Sequence, residues 1–211
     1  MNNLYLYTID LLEFITAIVA LIHYKKYAHS TERYFLHFLW FTFLVDSILG
    51  ALLSYFKIDN TWVYYSYTGI SFLFFYRWYY SILIHNMYKK ITIALSAVFV
   101  ILYILNGLYT EYQEYSFVIG ASFLLILAVF HLHQLFNSSY TLKIKYKLSF
   151  WITTALVLFN ISMIPFMLLS KYFNVLINNS AFTIILVFLN MVLYGCYIIG
   201  FTWTKKKYNH F

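Results

Sequence analysis

The chain has 211 residues, 63% of them hydrophobic and only 10% charged, with a formal net charge of +7. Soluble domains carry about 25% charged residues, so this composition excludes an ordinary soluble domain. An aromatic share of 24% excludes a disordered or low-complexity chain.

Seven apolar runs, each close to the length that crosses a bilayer core of about 30 Å, predict an all-α, polytopic seven-transmembrane-helix bundle. In chain order they are about Leu4–His23, Tyr34–Phe56, Trp62–His85, Ile91–Tyr109, Ser116–Phe136, Leu148–Leu169 and Ala181–Trp203. The first run has no basic leader and carries Asp10 and Glu13, so it is expected to stay as an anchor rather than act as a cleaved signal. The polar connections are short turns such as Lys57–Thr61, the acidic turn Thr110–Glu114, the basic loop Asn137–Lys147 and the turn Lys171–Ser180. They leave no room for a soluble domain, so 1–211 reads as one domain.

The basic residues sort by side. Arg77 lies inside the third run; of the other thirteen, eleven follow runs one, three, five and seven, and only Lys57 and Lys171 lie opposite. The positive-inside rule then predicts an outside N-terminus and a cytoplasmic C-terminus, in an inner (plasma) membrane. Placed this way, the lysines suit anionic lipid headgroups or a partner protein at the cytoplasmic loops, and no nucleic-acid module is expected.

Polar residues at bilayer depth are the place to look for function. Asp46 sits mid-run with Thr42, Gly50 and Ser54 at helical spacing on one face. Glu13 is mid-run in the first helix, with Asp10 one turn away. Arg77 in helix three, Asn160 in helix six and Asn190 in helix seven complete a candidate polar core, with Tyr80, Tyr194 and Tyr197 as secondary members. Glu13, Asp46 and Arg77 form the sharpest trio, readable as a proton-linked switch or as an interhelical lock. Pro165 removes one helix hydrogen bond and is a candidate hinge. The tyrosines of helix three (64, 65, 67, 76, 79 and 80) suit either packing or a wet cavity.

Other chemistries find little support. His131 and His133 stand at i and i+2, on different helix faces, so they are expected to reach the cytoplasmic headgroups rather than bind metal. Cys196 is the only cysteine. No mid-helix lysine, nucleophile triad or phosphate cradle is present, and no cofactor or catalytic residue is implied.

The segments Leu12-Glu13-Phe14, Tyr24-Lys25-Lys26-Tyr27, Phe150-Trp151-Ile152 and Ile198-Ile199-Gly200-Phe201-Thr202-Trp203 resemble small, uncharacterised bacterial seven-helix inner-membrane proteins. That resemblance implies a location and no activity. Size and topology are also similar to membrane accessories of phage-defence systems. Three functions remain open: a sensor or regulatory protein acting through a partner, a small-solute or proton-coupled transporter or channel, and an intramembrane lipid-modifying enzyme.

Overall fold

A computed structural model describes residues 2–108, 113–137, 141–176 and 179–209, with side chains for 7–108, 115–137, 143–169 and 183–209. Most of the expected acidic turn (Thr110, Glu111 and Tyr112) lies outside these residues, as do 138–140 of the basic loop and 177–178 of the following turn.

The described residues are helical, without strands. The helices are α1 (Asn2–Ile22), α2 (Arg33–Phe43), α3 (Gly50–Tyr55), α4 (Thr61–Ile82), α5 (Asn86–Gly107), α6 (Gln113–Phe136), α7 (Leu148–Leu176) and α8 (Asn179–Trp203). A π-helical turn, Leu44–Leu49, joins α2 to α3, so the three segments form one continuous rod. Five helical stretches are long and apolar enough to cross a membrane: Arg33–Tyr55, Asn86–Gly107, Tyr115–Phe136, Leu148–Leu169 and Thr183–Trp203. A multi-pass membrane protein is built from such elements, because helices satisfy every backbone group internally. Helix α4 matches them in length, but six tyrosines and Arg77 dilute its apolar character.

The helices close into a ring. Helix α1 packs between α2 and α8, α8 against α7, α7 against α6, and α6 against α4. The α2–α3 rod meets α4 through Phe38 stacked on Phe74 at 4.4 Å and through the Thr42–Tyr67 hydroxyl contact at 3.1 Å. Helix α5 stands outside the ring against α4 and α6; only Thr92 and Phe99 of its side chains are buried. Its outward positions, such as Ile93, Ile101 and Ile104, are apolar and exposed, as a lipid-facing helix requires.

One end of the ring is sealed. Phe35, Tyr79, Ile152 and Phe201 have no exposed surface and pack ring against ring or aliphatic chain. Below them the chain ties itself together with main-chain bonds. Asn209, 3% exposed, accepts from the Leu148 N–H at 3.1 Å and donates to the Lys26 carbonyl at 3.2 Å and the Thr204 hydroxyl at 2.7 Å. The Lys205 N–H and Thr204 hydroxyl both reach the Tyr146 carbonyl. One side chain thus caps the start of α7 and holds the exits of α1 and α8 beside it. Asn209→Ala is expected to lower stability by about 2 kcal/mol, since it removes a cap and orphans buried backbone groups. Thermal unfolding in detergent checks this; an unchanged transition would show that the clasp contributes nothing.

Glu32, just before α2, is 1% exposed, and neither carboxyl oxygen has a hydrogen-bond partner among the described residues. Burial pushes its carboxyl above the usual range, opposed by Ser30 and by the attraction of Lys147. Burial likewise pushes the Lys147 ammonium down, while Glu32 draws it back up. As pH rises through the ordinary glutamate range, the unfolded chain releases the Glu32 proton before the folded one, so stability falls. Melting temperatures at about pH 5 and about pH 7 should therefore drop for the wild type and vary less for Glu32→Gln.

Candidate functional site

Toward the other end, where α1 begins, the ring encloses a cavity of about 700 Å³. Its rim holds Tyr7, Ser54 and Tyr64, with Tyr7 66% exposed, so the cavity is open there. Its floor is Phe38, Phe75, Leu124 and Tyr197, resting on the sealed aromatic layer.

Local sequence explains why the walls are polar on one side. In α1, Asp10 and Glu13 are one turn apart and both line the cavity. In the α2–α3 rod, Thr42, Asp46, Gly50 and Ser54 line it as their spacing predicts. The π turn widens that face, bringing Ser47 and Ala51 to the cavity as well. Such turns lengthen the helix repeat by a residue and are frequent at functional sites. From α4 come Tyr64, Tyr67, Thr68, Ser71 and Phe75, a run of three- and four-residue steps.

Glu13 is the pivot. It is 2% exposed, and its Oε1 accepts a hydrogen bond from the Tyr194 hydroxyl at 2.8 Å. Its Oε2 is buried and has no hydrogen-bond partner among the described residues. The Asp46 carboxyl is its neighbour across the α1–α2 contact, and Asp10 is close enough to act on both. Asn160 and Asn190 line the far wall; each donates one amide N–H to the carbonyl four residues back, at 2.7 and 2.9 Å. Among the described lining residues the only charged side chains are the three acids, with no lysine, arginine or histidine.

The trio of Glu13, Asp46 and Arg77 does not form. Arg77 is exposed and lies in a separate shallow groove between α4 and α5, with Tyr80, Thr92 and Ser96. Its guanidinium sits 5.8 Å from the Tyr80 ring centroid. The cavity face of α4 steps from Ser71 to Phe75, and position 77 falls on the other side of the helix. Tyr80 leaves the polar core for the same reason. Pro165 lies inside α7 with its ring exposed, away from the cavity, while Asn160 and Met167 face it. Thr42, Asp10, Tyr194 and Tyr197 all reach the cavity.

The tyrosines of α4 serve both expected purposes. Tyr64 and Tyr67 line the cavity, whereas Tyr76 donates to the Gly120 carbonyl at 3.0 Å and Tyr79 to the Thr153 hydroxyl at 3.3 Å. His133 is exposed, as expected, but His131 is fully buried, its Nδ1 2.8 Å from the Thr153 hydroxyl. Its face of α6 turns inward onto Trp78 and Tyr79, so it cannot reach headgroups. Ser47 was not singled out from the sequence, although it stands three residues before Gly50 and seven before Ser54, on the same side of the helix.

No family model matches this chain, and no curated protein or solved structure is significantly similar to it.

Tyr194→Phe should leave a buried carboxyl oxygen of Glu13 without its donor, at a cost of about 1–3 kcal/mol. Thermal unfolding of the variant measures it; the double variant Tyr194→Phe with Glu13→Gln should recover part of the loss if the bond is the cause.

Proposed function

We propose that this is a seven-span plasma-membrane sensor or receptor, with its N-terminus outside. In this reading the polar cavity receives a ligand from outside, and the basic inner face passes the change to a partner protein. The observation that carries the reading is that the far end of the cavity rests on a sealed aromatic layer, while its rim is open where α1 begins. A receptor needs one mouth and a rigid far end; a carrier must also open the far end, and a lipid-modifying enzyme needs a groove facing sideways into lipid. The sealed end is also the end where Lys25, Lys26, Arg33, Lys205, Lys206 and Lys207 gather, with Lys26 donating to the Thr202 carbonyl at 2.8 Å. In the proposed topology that face is cytoplasmic, and α1 and α4 are the two spans beyond the five apolar ones. A bacterial inner membrane suits the resemblance read from the sequence.

A carrier held with its outer side open is the second reading, favoured by one observation. In chain order the rods α1, α2–α3 and α4 precede α5, and the rods α6, α7 and α8 follow it, so that α5 separates two triplets. The middle rod of each is interrupted, by the π turn Leu44–Leu49 in one and by Pro165 in the other. Paired triplets with modified helices lining a midplane site are how many carriers are built.

One measurement tests the topology and a second separates the two readings. A green fluorescent protein fused at the C-terminus should fluoresce, and alkaline phosphatase at the same position should be inactive; the reverse pattern would refute the topology. Proteoliposomes under a pH gradient and a membrane potential should show no ion or proton flux with folded wild-type protein. Flux abolished by Asp46→Asn would make the protein a carrier or channel.

A further inference from the structure

The cavity poses a charge problem that its own walls do not solve. Glu13 and Asp46 face each other across the α1–α2 contact with Asp10 above them, and no basic side chain lines the space among the described residues. Glu13 is almost fully buried, and its Oε2 has no donor. Buried carboxylates demand a counter-charge or a full set of hydrogen bonds. Tyr194 supplies one bond to Glu13, and the Glu13 and Asp46 carboxyls can share one proton between them, which still leaves negative charge on the pair and on Asp10. With no basic side chain among the described lining residues, a positive charge that balances the acids comes from outside the chain.

The rest of the cavity says which kind of cation. A proton needs no space, and a hydrated inorganic ion gains nothing from hydrocarbon walls. Here about 700 Å³ is bounded by Phe38, Phe72, Phe75, Phe117 and Phe159, with Tyr64, Tyr67 and Tyr197 beside them. Cavities of about 300–1,000 Å³ accept drug-sized molecules, and aromatic faces attract ammonium groups through their quadrupoles.

We propose that the cavity binds an organic ammonium ion on an apolar body. The nitrogen lies between Glu13 and Asp46, and the body rests against the phenylalanine floor. Asp10, nearer the rim, draws the cation in. Tyr194 holds Glu13 in place, and Asn160 and Asn190 offer polar contacts opposite. The inference rests on the receptor reading for the direction of entry, and its chemistry is tested separately.

The test uses the full chain in lipid nanodiscs and three probes with one shared body: phenylbutylammonium, phenylbutanol and phenylbutyrate. Binding is measured by calorimetry and by thermal shift. The ammonium probe should bind at least about tenfold more tightly than the alcohol, and the carboxylate should not bind. Glu13→Gln and Asp46→Asn should each weaken the ammonium probe by about tenfold or more and leave the alcohol unchanged. Asp59→Asn, in the exposed outer turn, should change nothing. Should Glu13→Gln fail to fold, Asp10→Asn at the rim provides the same comparison with a smaller loss.

Equal binding of alcohol and ammonium would overturn the proposal, as would ammonium binding indifferent to both acidic variants. Stabilisation by sodium or potassium chloride alone, with displacement of the probe, would reassign the acids to an inorganic ion and overturn it too. So would the absence of any probe binding. These results would leave the receptor reading standing. Transport of the ammonium probe into proteoliposomes would do the opposite, keeping the cation site and refuting the receptor.

Discussion

The polar cavity of this bundle depends on two carboxyl groups, Glu13 on α1 and Asp46 on the π turn, meeting inside a ring of helices. A lone carboxylate at bilayer depth costs roughly 3 kcal/mol on insertion scales, and two facing each other cost more. The fold gathers around them the groups that reduce this cost: the Tyr194 hydroxyl on Glu13, hydroxyls on α3 and α4, and an open, wettable space. The cavity and the acids therefore explain each other. Closing the space would strand the acids, and removing the acids would leave little reason for a hole in a well-packed aromatic core.

The two ends of the ring answer to different forces. At the sealed end, aromatic rings interlock and the Asn209 clasp ties three segments by hydrogen bonds to main-chain groups. Hydrogen bonds of this kind are directional and stiffen the end they occupy. At the open end, the rim rests on the contact between α3 and α4, where the Tyr64 hydroxyl lies against Gly50, a position with no side chain to hold it off. Helix α5, outside the ring with two buried side chains, takes no part in the cavity and packs instead as a lipid-facing buttress on α4 and α6.

Some of the site was legible from spacing alone. Thr42, Asp46, Gly50 and Ser54 line the cavity because a four-residue step stays on one helix face, and Asp10 and Glu13 do so for the same reason. Arg77 was misread because charge suggested a partner for the acids, while its position, two residues beyond Phe75, placed it on the other face of α4. His131 was misread because its nearness to the helix end suggested a headgroup contact; depth along a helix does not say which side faces in. The π turn has no propensity signature in Leu44–Leu49, so it could not be read from the sequence, whereas Ser47, seven residues before Ser54, could have been placed on the cavity side by spacing.

By itself the sequence determined the long apolar helices, the polar faces of α1 and the α2–α3 rod, and the segregation of lysines to one set of helix ends. These are properties of composition and period, which each segment carries independently of its neighbours. Only the tertiary structure decided that Glu13 meets Asp46 and Tyr194 rather than Arg77, that α5 stays outside the ring, and that the bundle is sealed beneath the cavity. Those outcomes depend on the rotation of each helix about its own axis, and that rotation is set by the packing of Phe38, Tyr79, His131 and Phe201 against their neighbours rather than by any segment alone.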